Sequence, residues 1–312
     1  MPSGTHTARS GNTQRRRRAV FAGLLVAGAV SGVAIGLSLS RSSHPDAAPE
    51  PSTGASATHH STGSSTTSRD SSSTTSGHSS TTTAAGTAAS FPAILDGKVI
   101  AIDPGHNGGN FEDPSFINAP IWNGRESETC DTTGAETDGG YTEALFNFNV
   151  AQYLAADLEA EGAKVVLTRT TNSGVGPCVT QRAAIGNNAH ANAAISIHAD
   201  GGPSTGRGFA VLEPVADGPN NAVITQSTAL GADIRSTLLS QGVEQVSTYD
   251  GVNGIQPRDD LAGLNLTTVP KVLVECANMR NAADAALIVS PTWQQSVAKA
   301  LADGLTQFVM VG

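Results

Sequence analysis

The stretch Lys98-Val99-Ile100-Ala101-Ile102-Asp103-Pro104-Gly105-His106 decides the fold. Val99 to Ile102 is a short apolar run of the kind found in buried strands. Asp103-Pro104-Gly105 stops it with turn residues, and a histidine stands just past the stop. Working outward, Thr142 to Glu161 places Leu145, Phe148, Ala151, Leu154 and Leu158 on one helical stripe that ends at Gly162. Strand patterns follow at Lys164 to Thr168, Ala194 to Ile197, Gly208 to Leu212 and Lys271 to Val274. Helical patterns lie between and after them, at Val179 to Ala189, Asn221 to Gln241 and Ser290 to Val309. This alternation predicts an α/β fold: a single three-layer αβα domain with a largely parallel twisted sheet, over residues 91–312. Roughly 220 residues suffice for one well-covered core.

The residues before this domain have a different character. Residues 1–18 end in the basic run Arg15 to Arg18. Residues 19–40 form an uncharged apolar stretch of about the length that crosses a hydrocarbon core. They are expected to be a transmembrane anchor or a signal peptide, with residues 1–18 cytoplasmic. Residues 41–90 are mostly Ser, Thr, Ala, Gly and Pro and read as a disordered linker. The expected location of the domain is therefore extracytoplasmic, either membrane-anchored or secreted to the cell wall or periplasmic space. Seven arginines against three carboxylates make the first 90 residues +4, so the rest of a −9 chain carries −13. That excess argues against nucleic acid as a partner.

Four residues of the domain carry reactive side chains at positions where an α/β sheet gathers ligands, beyond the carboxyl ends of its strands. His106 follows the first strand, His198 and Glu275 each close one, and Glu143 lies in the first turn of a helix. Taken singly, His106 could cap a turn, His198 could be the polar end of its strand, and Glu143 could complement a helix dipole. Glu275 differs, because it ends the apolar run Val272-Leu273-Val274 and needs a partner or a metal. Together His, Glu and His with an open fourth position form a hydrolytic zinc ligand set, and a spare Glu can move protons. All four are expected to converge at one edge of the sheet.

From Val99 to about Val309 the chain resembles the zinc-dependent N-acetylmuramoyl-L-alanine amidases of the amidase type 3 domain. The matching segments are Ile102-Asp103-Pro104-Gly105-His106, Glu143-Ala144-Leu145-Phe146-Asn147, Leu167-Thr168-Arg169, Arg182-Ala183-Ala184, Ser196-Ile197-His198-Ala199 and Val269 to Glu275. The resemblance implies one Zn2+ held by His106, Glu143 and His198, with Glu275 assisting the attacking water. It implies cleavage of the amide between N-acetylmuramic acid and L-alanine of the stem peptide, so peptidoglycan and muropeptides are the expected partners of a monomeric enzyme. The membrane is a further partner if residues 19–40 are retained. Asn107, Asp200 and Ala277-Asn278 depart from the family's usual residues and bear on substrate preference. A non-catalytic peptidoglycan-binding or regulatory protein, and a zinc peptidase for another exported amide, are the alternatives.

Arg207 is a candidate contact for substrate carboxylates, with a solvated surface arginine as the other reading. Cys130 and Cys178 lie in loops expected to flank the cleft, and in an exported protein they are expected to form a disulfide. Cys276 follows Glu275, so it should face the opposite side of its strand as a buried free thiol.

Overall fold

The structure is a computed structural model that describes residues 93–311. The basic N-terminus at 1–18, the apolar segment at 19–40 and the linker at 41–90 lie outside the described residues. Among the described residues no helix is long and apolar enough to cross a membrane.

The chain runs β1 (Val99–Pro104), α1 (Pro114–Ile117), β2 (Pro120–Trp122), β3 (Ser127–Thr129), α2 (Glu143–Ala160), β4 (Lys164–Leu167), α3 (Val179–Asn188) and β5 (Ala193–Asp200). It continues with β6 (Ala210–Pro214), α4 (Ile224–Ser240), β7 (Ile255–Arg258), α5 (Ala262–Asn265), β8 (Lys271–Asn278), α6 (Ala282–Ile288) and α7 (Pro291–Val311). Six strands form one sheet in the order β4-β1-β5-β8-β6-β7, and β2 and β3 form a separate hairpin. All neighbours in the sheet are parallel except β6 and β8. The largely parallel sheet expected from strand–helix alternation is present.

Side chains alternate across each strand and so sort the two faces of the sheet. Ile100 and Ile102 of β1, Ile195 and Ile197 of β5, and Val272 and Val274 of β8 enter the main core. Leu154 of α2, Ile234 of α4 and Leu301 of α7 meet them there, all fully buried. Cys276 belongs to the same core, as its offset from Glu275 predicts. The opposite face carries Ala101 and Ala194, against which the α3 glycine Gly186 packs closely. Further along that face Ala210 and Leu212 of β6 meet Leu264 of α5. These covering helices are short and leave part of the second face free for a site.

The strands extend further than their apolar runs. His198 and Glu275 lie inside β5 and β8, in register with each other, rather than at strand ends. Because their neighbours Ile197, Ala199, Val274 and Cys276 point into the main core, both functional side chains stand on the α3–α5 face. The site is therefore built on the surface of the sheet, with His106 arriving from the end of β1.

Candidate metal centre

His106 emerges one residue after Gly105, where no side chain fits: a Cβ on Gly105 would lie 2.2 Å from the His198 ring. His106 itself adopts φ 55°, the left-handed region that side chains resist. Two buried arginines hold the loop there. Arg169 donates to the carbonyls of Pro104, Gly105 and Ala144 at 2.8, 3.2 and 2.8 Å. Arg182 donates to the carbonyls of Pro104 and His106 at 2.7 and 2.9 Å, and to Asp103 and Asp131 at 3.0 and 3.1 Å. Asp131 closes the circuit by meeting His106 Nδ1 at 3.1 Å. That contact leaves His106 Nε2 facing Glu143.

Glu143 is the first residue of α2, yet its side chain is buried rather than solvated at the helix end. Ala135 N–H donates to its Oε2 at 2.7 Å. Its Oε1 lies 3.3 Å from His106 Nε2 and 2.9 Å from His198 Nδ1. The two imidazoles meet edge to face with centroids 4.9 Å apart. Gly134, at φ 75°, permits this crowding, since a Cβ there would lie 2.7 Å from His106 Cδ2. One donor atom from each of His106, Glu143 and His198 lies within 4.8 Å of the others. Two ring nitrogens converging on one carboxylate oxygen suit a divalent cation that takes nitrogen and oxygen ligands.

The electrostatics agree with that donor set. Burial alone would lower the His106 pKa, but Glu143 and Asp131 reverse the sign and bring it to about 10. Burial would raise the Glu143 pKa, and His106 and His198 instead hold it well below the ordinary carboxylate value. Glu275 moves the other way: burial, then the negative charges of Glu143 and Asp200, push it well above the usual range. Its Oε2 is buried without any hydrogen-bond partner. A lone carboxylate facing two others calls for a proton or a nearby cation.

A cavity of about 410 Å³ contains this group and continues along the sheet face between α3 and α5. The β2–β3 hairpin forms one wall through Glu128 and Thr129. Its Glu128 accepts from Ala262 N–H at 3.0 Å, and Arg125 at its turn meets Asp217 and Asp259 at 2.9 and 2.5 Å. A second recess of about 250 Å³, lined by Asp200, Tyr249, Asp250 and Arg258, joins the first at Glu275.

The remaining expectations fare differently. Arg207 is not among the residues lining either cavity; it meets Glu244 at 3.0 Å and the fully buried Asp284 at 3.0 Å. Cys130 and Cys178 are neighbours, but as buried free thiols and not as a disulfide. Burial, then the adjacent Cys178, pushes the Cys130 thiol up to about 12. Their loops are already joined by Val179 N–H donating to the Cys130 carbonyl at 2.8 Å. Asp131 was not singled out from the sequence, because one aspartate in a long loop carries no periodic or motif signal.

Residues 100–307 match the model of the N-acetylmuramoyl-L-alanine amidase family. The chain is similar to the N-acetylmuramoyl-L-alanine amidase Rv3717 of Mycobacterium tuberculosis, with 39% identity over 225 residues, 72% of this chain and 91% of the relative. Among solved structures it is similar to the N-acetylmuramyl-L-alanine amidase Ami1 of Mycobacterium smegmatis. There the identity is 39% and the TM-score 0.66, covering 70% of this chain and 99% of the other. Apo Ami1 of Mycobacterium abscessus gives 39% identity and a TM-score of 0.65, covering 69% of this chain and 99% of the other.

Proposed function

Because the chain belongs to the N-acetylmuramoyl-L-alanine amidase family and is a peptidoglycan hydrolase, we propose that His106, Glu143 and His198 hold a zinc ion and that Glu275 is its acid–base residue. The bond cleaved is the amide joining the lactyl carbonyl of N-acetylmuramic acid to L-alanine. The observation that carries this reading is the convergence of the three donors beside the buried, unpartnered Oε2 of Glu275. When bound, zinc supplies Lewis acidity, which polarises the amide carbonyl and makes water a nucleophile near neutral pH.

The protein's own residues do the rest. Asp131 fixes His106 with Nε2 toward the metal position, and Arg182 fixes Asp131. Glu275, in register with His198, is one strand spacing from that ligand and on the same face. Its carboxylate takes the proton of the attacking water and returns it to the nitrogen of the departing L-alanine. Action outside the cytoplasmic membrane is supported by the location of peptidoglycan and by the apolar segment at residues 19–40.

The test measures release of free peptide from purified muropeptides, with and without chelator, for the wild type and Glu275→Gln. The variant is expected to bind zinc stoichiometrically and to lose about 10²–10⁴-fold in kcat. Turnover indifferent to both treatments would sink the mechanism. Stoichiometric zinc with no turnover of any muropeptide would favour a binding role.

A further inference from the structure

The cavity does not end at the metal ligands. Lys271 opens β8 on the same face as Glu275, and it lines the cavity although it is only 3% exposed. An ammonium has three donors. Among the described residues the only acceptor for Nζ is Asp103 Oδ2, at 3.5 Å. Asp103 is well served without it, by Thr168 and Ser196 hydroxyls at 2.7 Å each and by Arg182 at 3.0 Å. A buried ammonium with unused donors on a cavity wall is suited to an anionic ligand group.

The depth of Nζ identifies which part of a substrate would reach it. Asp103 pairs in register with Ser196, two residues inward from His198. That step is roughly 7 Å along a strand. In a muramoyl peptide the residue after L-alanine begins one Cα spacing, about 3.8 Å, beyond the alanine Cα, which places its α-carboxylate at a matching reach. Leu273 and Leu212, in register with Ser196, and Leu264 give the inner part of the cavity apolar walls suited to the peptide stem.

We propose that the inner end of this cavity binds the peptide arm of the substrate, with Lys271 Nζ reading a free α-carboxylate on the residue that follows L-alanine. Lys271 is then a specificity-determining residue. The proposal rests on the amidase reading above. A site built around a buried ammonium with donors to spare discriminates strongly against a group that cannot accept from it.

The test compares hydrolysis of N-acetylmuramoyl-L-alanyl-D-glutamic acid with that of its α-carboxamide, N-acetylmuramoyl-L-alanyl-D-isoglutamine, using the zinc-loaded full chain. The wild type is expected to prefer the acid by about tenfold to a hundredfold in kcat/KM, mostly through KM. Lys271→Met is expected to bring the ratio close to one while retaining zinc. Equal rates in the wild type would overturn the proposal and leave the cavity floor to water. A ratio unchanged in the zinc-loaded variant would overturn it as well. The wild-type ratio needs no variant and decides the matter even where Lys271→Met does not fold. Cleavage of neither compound would instead overturn the amidase reading, and this one with it.

Discussion

His106 holds a backbone conformation, φ 55°, that costs an ordinary side chain about 1–2 kcal/mol. It is kept there by Arg182, whose donors reach five acceptors: Pro177, Asp103, Pro104, His106 and Asp131. The carboxylate of Asp131 then orients the imidazole and raises its basicity, as partners behind metal-binding histidines do. Asp131→Asn keeps the shape and removes the charge. It is expected to weaken zinc binding about 10–100-fold in competition with a chromophoric chelator. An unchanged zinc affinity would reduce Asp131 to a loop fastener. A second residue-scale prediction concerns the thiols. With all three cysteines free and buried, a thiol reagent should find none in the native protein and three after denaturation. A count of one after denaturation without reductant would restore the Cys130–Cys178 bridge.

Two adjacent parallel strands, β5 and β8, do most of the positioning at the scale of elements. Register sets His198 beside Glu275, and alternation puts both on the face that α3 and α5 leave partly free. The existence of these strands was legible because Ala194 to Ile197, broken only by Ser196, and Val272 to Val274 are short apolar runs, as central parallel strands are. Their true ends were not legible: His198 and Glu275 break the apolar run, so each strand was expected to stop at its functional residue. The residue identities of the site were readable from the sequence, and the face on which they meet was not. Strand β7 escaped notice because Gln256-Pro257 interrupts its pattern, which an edge strand tolerates. The β2–β3 hairpin was missed because three-residue strands show no period. Its hold on the opposite wall depends on Arg125, which is partly exposed and spans Asp217 and Asp259. Such pairs contribute only about 0–1 kcal/mol each. Arg125→Ala should therefore leave the melting temperature nearly unchanged while speeding hydrogen exchange at residues 120–129. Unaltered exchange there would show that Glu128 and Asn123 hold the hairpin by themselves.

Across the whole molecule the described domain closes around a buried ionic cluster that ties the first strand, the third helix and the last strand together. Asp103 links Thr168, Arg182, Ser196 and Lys271 from four different elements or their ends. Burial would raise its pKa, but the two cations and two hydroxyls overcome this and drive it far below the ordinary carboxylate value. The sign of the linkage follows from that depression. Asp103 adds stability above the unfolded-chain value of about 3.9, and this contribution is lost progressively as pH falls below it. Near neutral pH, Asp103→Asn leaves Arg182 and Lys271 short of a counter-charge and is expected to cost about 3–5 kcal/mol in denaturant unfolding. Below that unfolded-chain value the unfolded wild type takes up a proton that the folded protein resists, a stability loss that the variant does not share. The stability gap between them should therefore be constant from pH 7 to about 5 and shrink steadily below about 4. Metal-free protein is the right sample, since zinc release at low pH would otherwise add its own slope. A gap that stays constant down to the acid transition would mean that Asp103 contributes through packing and neutral hydrogen bonds rather than through its charge.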